Sequence, residues 1–278
     1  ILVLDILIIY YKIYIMSKIG IGIVTCNRNN FFTKCINSIK KEWYDELVIV
    51  NDGDVPIKYA VNNYKIINNK KNIGVCKSKN ILFKKLLAKD CDYIFIVEDD
   101  MYFKDNAFQA YIDAHKKTGI DHMMFAYHGP ANKGNISKGK PKPRKVIDYG
   151  DFKLALNQHC VGAVCFYTKK CLKEVGLFDE NFDKNNFEHV EHSYSLAKAG
   201  YSTPYWWWSD IANSLDYIEE QACSEENSSI RRGDNWQQKI MESAEIFKNK
   251  HGYLPAWQGC VPDTPINKVI DFLKKVKK

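Results

Sequence analysis

What most constrains this chain is an alternation that runs through its first half. Short, nearly unbroken apolar runs are separated by stretches whose apolar residues recur at helical spacing. Runs rich in Val, Ile and Leu are what strands buried on both faces require, and a parallel sheet has both faces covered by its crossover helices. Residues 19–25 read as a first strand, 31–40 as a helix with Phe32, Cys35, Ile36 and Ile39 on one face, and 46–50 as a second strand. A third strand follows at 65–67, a helix at 75–88 and a fourth strand at 93–97. The expected fold is α/β: a Rossmann-like, mostly parallel central sheet flanked by helices in a single domain. Ligands of such sheets bind outside the carboxyl ends of the strands. The polar residues that follow the first, second and fourth strands are therefore expected to share one rim.

The rest of the chain divides less sharply. Residues 18–130 form the half just described, and 146–262 are expected to form a second half, with a strand at 160–168, a short helix at 169–175 and a longer one at 188–199 stopped by Gly200. Between the halves, 131–145 is rich in Gly, Pro and Lys without periodicity and reads as a mobile basic loop. Residues 263–278 read as an amphipathic basic helix, with Thr264 as N-cap, Pro265 at the first helical position, and Ile266, Val269, Ile270, Leu273 and Val276 on one face. That face either docks on the protein itself or gives peripheral membrane contact. Residues 1–17 are an apolar extension, shorter than the roughly 20 residues a spanning helix needs and carrying Asp5 and Lys12. Met16 is expected to be the natural start, with a membrane-surface segment as the alternative.

The net charge of +7 comes from scattered lysines, and no nucleic-acid-binding motif accompanies it. Nine cysteines without paired Cys-x-x-Cys spacings read as reduced thiols. They point to a cytoplasmic protein, with a position peripheral to a membrane as the variant.

The residues with most chemical content are Glu98-Asp99-Asp100, placed where an apolar strand meets solvent. Three adjacent acids repel one another, and a divalent cation bridging them to phosphates would relieve that repulsion. Trp206, Trp207 and Trp208 offer ring faces for a sugar, although alternation in a strand would turn Trp207 away from its neighbours. Ser228, Ser229, Arg231 and Arg232 lie in a polar stretch suited to closing over a diphosphate.

Read in order, IGIGIVTCNRN, VIVNDG, NIGVCKSKN and IFIVEDD resemble the nucleotide-binding half of family 2 glycosyltransferases of the GT-A fold. The resemblance implies a metal-dependent enzyme, inverting in stereochemistry. It would move a sugar from a nucleotide-diphosphate donor, by family habit a UDP-sugar, to a glycan, protein or lipid acceptor. It places Thr25, Asn27, Arg28, Asp52, Asn72, Gly74, Lys79, Asn80 and Asp99 around the donor, with Lys79 standing where the family usually has arginine. Asp100 and Glu98 would hold Mn2+ or Mg2+, with Asp210 replacing the histidine that completes the metal shell in related enzymes. The segment from Asn157 to Phe182 and then EHVEHSYSLAKAGY, from Glu188 to Tyr201, resemble the acceptor side of the same family. There His189 falls where the catalytic aspartate is usual, so the base is expected among Glu188, His189 and Glu191, while His192 either ligates metal or caps a packed face. Two other readings are a non-catalytic nucleotide-sugar- or glycan-binding protein on the same fold and a nucleotidyltransferase. The second lacks the glycine-rich loop expected after its first strand.

Overall fold

The computed structural model describes residues 17–57, 64–134, 139–182, 186–221 and 235–277. The chain runs through β1 (Ile19–Thr25), α1 (Asn29–Ser38), β2 (Glu46–Asn51), β3 (Lys65–Asn68), α2 (Val75–Ala88), β4 (Tyr93–Glu98), β5 (Met101–Phe103), α3 (Ala107–Thr118) and β6 (His122–Met124). It continues through β7 (Lys145–Asp148), β8 (Lys153–Asn157), β9 (Val164–Thr168), α4 (Lys169–Val175), α5 (Glu188–Lys198), β10 (Trp208–Ile211), β11 (Ile218–Glu220), α6 (Trp236–His251) and α7 (Ile266–Val276).

The apolar runs of the first half become a parallel core in the order β3-β2-β1-β4, extended by β9 and β6 in antiparallel pairing. Ile21, Ile23, Ile49, Val50, Ile94, Phe95 and Val97 are buried in it, each worth about 1.5–3 kcal/mol relative to an exposed side chain. The two glycines of β1 are a packing device. A Cβ on Gly22 would lie 2.9 Å from Leu82 Cβ, and one on Gly20 2.7 Å from Cys91 Sγ, so their absence lets α2 settle directly on the sheet. In this strand order the direction of winding reverses between β1 and β4, which opens a crevice at their carboxyl ends.

Two small sheets complete the body. β7, β8 and β10 form one, and β11 pairs with β5, setting Glu220 opposite Met101 beside the acidic triplet. The segment expected to be a loose loop at 131–145 is anchored at both described ends. The buried Asn132 amide donates to the Ala126 and His159 carbonyls, and Lys142 N–H donates to Asn132 O. Residues 135–138, like 1–16 and the stretch holding Ser228, Ser229, Arg231 and Arg232, lie outside the described residues.

The last helix starts at Ile266 after an extended Pro265, and Thr264 does not cap it; the Thr264 carbonyl instead accepts from Trp207 Nε1 at 2.8 Å. α7 turns its apolar face inward, with Val269 and Leu273 buried and Ile270, Phe272 and Val276 packed on the core. Its end passes so close to Gly119 that a Cβ there would lie 1.8 Å from Val276 O. No helix among the described residues is long and apolar enough to cross a membrane. The cysteines among those residues are all free.

Of the three tryptophans, only Trp208 lies in a strand, and all three are committed to the fold. Trp208 is 1% exposed; Trp207 is stacked under Arg144 at 3.7 Å and bonded to Asp263; Trp206, at φ +69°, donates to Val261 O.

Candidate active site

At the ends of β1 and β4, Thr25, Arg28, Asp99 and Asp100 come together. Thr25 Oγ1 donates to Asp99 Oδ2 at 2.5 Å. The chain then turns at Asn27, held in the left-handed region at φ +54°, its Oδ1 accepting from Asp54 N–H at 3.0 Å. That turn aims Arg28 back at the triplet, where its guanidinium binds Asp99 and reaches Asp100 Oδ2 at 3.0 Å. Asp99 has no exposed surface, and burial pushes its carboxyl up to about 7 against the opposing pull of Arg28 and Thr25. Asp100 Oδ1 is buried and has no hydrogen-bond partner among the described residues.

Asp52 and its neighbours shape the wall of this crevice. Its carboxylate accepts from Ile73 N–H and Gly74 N–H, both at 2.9 Å, and from Asn69 Nδ2 at 2.8 Å. Asn72 Oδ1 also accepts from Gly74 N–H, at 3.0 Å. Asp52 thus fixes the turn that starts α2. Asn80 is drawn elsewhere: it donates to Phe178 O at 2.9 Å and Glu180 Oε1 at 3.1 Å and accepts from Phe178 N–H at 3.0 Å, tying α2 to the segment after α4.

Lys79 is 1% exposed, its ammonium 2.8 Å from Glu98 Oε1, 3.3 Å from Gly162 O and 3.5 Å from Glu188 Oε1. Burial works to lower its pKa, but the carboxylates of Glu98 and Glu188 outweigh that and hold it above the ordinary lysine value. Burial works to raise Glu98, and Lys79 overcomes it, leaving that carboxylate below its usual range. One lysine therefore joins the end of β4 to the first turn of α5.

Within that turn the three candidate bases part company. Glu188 Oε1 also faces His189 Nδ1 at 3.2 Å; His189 and Lys79 together hold Glu188 ionised, well below the usual carboxylate range, although burial opposes them. A Cβ on Gly162 would lie 2.7 Å from the His189 ring, so the imidazole rests on bare backbone. Its side chain keeps 24% exposure. Glu191 points away, bound by Ser195 Oγ at 2.8 Å and by Lys250 Nζ and His251 Nε2 at 3.0 Å, and these partners bring it down to about 2 despite burial. His192 caps a packed face: it lies among Phe83, Tyr167 and Phe178, donates Nε2–H to Gly176 O at 2.9 Å, and burial lowers it to about 4.

The structure seats Asp210 in a closed cage. It has no exposed surface and accepts from Tyr111 Oη at 2.7 Å, Ser214 Oγ at 2.7 Å and Ala126 N–H at 2.9 Å. Burial pushes it up to about 7 even against those donors. Asp210, expected in the metal shell, thus stands with its carboxylate oxygens engaged by three donors. Beside the triplet stand residues without a sequence signal. Glu220 Oε2 takes Lys133 Nζ at 2.8 Å and Gly129 N–H at 3.0 Å, and His128 Nδ1 lies 3.8 Å from Glu220 Oε1. Gln221 N–H donates to Asp100 O at 2.8 Å. The β5–β11 pairing sets Glu220 and Gln221 beside the triplet.

The family model described as Glycosyl transferase family 2 matches residues 21–176, more than half of the chain. The chain belongs to glycosyltransferase family 2. A curated relative, an uncharacterized glycosyltransferase of Acanthamoeba polyphaga mimivirus, is 29% identical over 192 residues, 66% of this chain and 71% of that one. Among solved structures, GalNAc-T7 with UDP, GalNAc and Mn2+ superposes with a TM-score of 0.58 at 12% identity, over 95% of this chain and 55% of that one. Staphylococcus aureus TarS gives 0.51 at 16% identity, over 84% of this chain and 43% of that one. The fold is thus that of the GT-A glycosyltransferases, and the chain spans about half the length of these two structures or less. The family 2 match ends at Gly176, just after α4, so it covers the crevice at the ends of β1 and β4 and leaves α5 with its Glu188–His189 pair outside it.

Proposed function

We propose that this family 2 glycosyltransferase moves a hexose from a nucleotide-diphosphate donor, a UDP-sugar, to an acceptor hydroxyl, with inversion at the anomeric carbon and with help from Mn2+ or Mg2+. The observation that carries the reading is the convergence of Thr25 and Arg28 on Asp99 and Asp100 where β1 and β4 end. The choice of UDP is supported by GalNAc-T7, a structural neighbour determined with that nucleotide.

The residues present fit a divalent cation. Asp100 Oδ1 is a hard oxygen ligand, buried and without a partner among the described residues, whereas Glu98 is engaged by Lys79. Among the described residues no group of three or more His, Cys, Asp or Glu side chains is arranged to hold an ion alone. The other ligands would therefore be diphosphate oxygens and water, the usual division in phosphate sites. Bound there, the ion would offset charge growing on the departing diphosphate. Arg28, at the same acids, supplies a second positive charge to those phosphates.

On the acceptor side, Glu188 accepts from His189 Nδ1–H and thereby fixes the tautomer whose Nε2 takes a proton. As the acceptor oxygen bonds to the anomeric carbon, the bond from that carbon to the diphosphate breaks and the hydroxyl proton passes to Nε2. His189 is thus the base, Glu188 its positioning partner, and Glu191 a structural acid. Peripheral membrane contact, if made by α7, would be electrostatic through Lys274 and Lys275, because its apolar face is already taken.

The test is nucleotide release from a panel of UDP-, GDP- and CDP-sugars with and without Mn2+. Metal-dependent release from a UDP-sugar is expected. Tight donor binding with no turnover across the panel would instead support a non-catalytic sugar-binding protein.

A further inference from the structure

Trp257 is the most exposed aromatic side chain among the described residues, at 53%, and its backbone sits in the left-handed region at φ +67°. A bulky residue there is strained, and such strain persists only where the surroundings enforce it. Here they do. Leu254 N–H donates to Gly259 O at 3.2 Å, Val261 N–H to Leu254 O at 3.0 Å, and Tyr205 Oη to Pro255 O at 2.6 Å, so the loop is pinned at both ends with Trp257 near its tip.

The inner neighbour of Trp257 is Phe187, edge to face at 6.3 Å and 88°. Phe187 is itself left-handed at φ +64° and immediately precedes Glu188 and His189. The contacts run in a fixed order: Asp99 and Asp100 at the donor crevice, the adjoining Glu98, then Lys79, Glu188 and His189, then Phe187 and Trp257. The aromatic pair thus adjoins the first turn of α5, which carries Glu188 and His189. An acceptor that gives its proton to His189 must approach this turn of α5.

We infer that Trp257, braced by Phe187, is an acceptor-binding shelf that stacks on the apolar C–H face of a pyranose, which makes the acceptor a saccharide rather than a bare protein or lipid hydroxyl. A ring face held out in water by a rigid loop suits this ligand: it offers apolar area and a π-face at little ordering cost. The inference rests on the proposed function and names its acceptor class.

The experiment uses the full chain labelled with 15N, and reads indole N–H signals while methyl glucoside, methyl galactoside, methyl mannoside and methyl N-acetylglucosaminide are added in turn, with and without UDP and Mn2+. The Trp257 signal, assigned by its loss in Trp257→Phe, is expected to move with at least one glycoside at millimolar concentrations. In turnover, Trp257→Ala is expected to raise KM for that glycoside about tenfold, with Trp257→Phe between it and wild type. Failure of the Trp257 signal to respond to all four glycosides, while UDP still shifts other signals and donor is still hydrolysed, would overturn the shelf alone. Loss of the UDP response as well would overturn the donor reading.

Discussion

Lys79 Nζ lies 2.8 Å from Glu98 Oε1, and this ion pair is 1% exposed on the lysine side. The same ammonium reaches Glu188, so a single point charge stands between two acids that come from opposite halves of the chain. Arginine, the residue usual at this position in the family, would present a wider planar fork to the same space.

Replacing Lys79 by Met should leave Glu98 without its ammonium partner and Glu188 with His189 alone, at a cost of about 3–5 kcal/mol. Urea unfolding measures it. A loss below about 1 kcal/mol would mean that the two carboxylates find other partners or water.

The assignment of His189 as base predicts that His189→Ala lowers kcat by about 10²–10⁴ with donor affinity nearly unchanged. Glu191→Gln should leave kcat within a few-fold. Gly162→Ala should act like a partial His189 change, because the new methyl would lie 2.7 Å from the ring and displace it. Steady-state kinetics with the donor panel would check all three, and a larger kcat loss in Glu191→Gln than in His189→Ala would reverse the assignment.

On the proposed function, Arg28, already paired with Asp100, would compete with a divalent cation for that acid. Arg28→Ala should therefore tighten Mn2+ binding in the absence of nucleotide by about tenfold, reflecting one charge-assisted contact removed, while weakening donor binding. Asp100→Asn should abolish the metal response of donor hydrolysis, with a loss of about 10² or more in rate. Calorimetric titration of Mn2+ into the nucleotide-free variants reads the first effect. Equal Mn2+ affinity in wild type and Arg28→Ala would show that the guanidinium does not guard the acid.

The Glu191 carboxylate, brought from 4.5 to about 2 by His251, Lys250 and Ser195 against its burial, predicts a pH signature. A depressed folded-state pKa contributes stability that is fully present above the unfolded value and is lost as pH falls through the folded one. Wild type should exceed Glu191→Gln by on the order of 3 kcal/mol near neutrality, and the gap should close between about pH 5 and pH 2. Denaturation at a series of pH values follows it, and a gap independent of pH would remove the ion pairs from the account.

Residues 19–98 were legible because their information is local. Unbroken apolar runs of strand length, the helical spacing of Leu82, Phe83 and Leu86, and an acidic triplet at a strand end fix strands, crossover helices and a shared rim without knowledge of the rest of the chain. The sequence by itself thus determined the parallel core, the crevice at the ends of β1 and β4, and the family. Beyond Trp208 the elements are short or exposed, and β11, α6 and the pinned loop of Trp257 carry little periodicity to read. How each of the three candidate bases is engaged was decided only by tertiary structure. Glu188, His189 and Glu191 share one helical turn, yet Lys79 from 109 residues away holds the first, the bare backbone of Gly162 seats the second, and His251, 60 residues on, seals off the third. The chemistry of an ionisable side chain follows from burial and from the charges facing it, and those belong to the packing of distant segments rather than to any stretch of sequence.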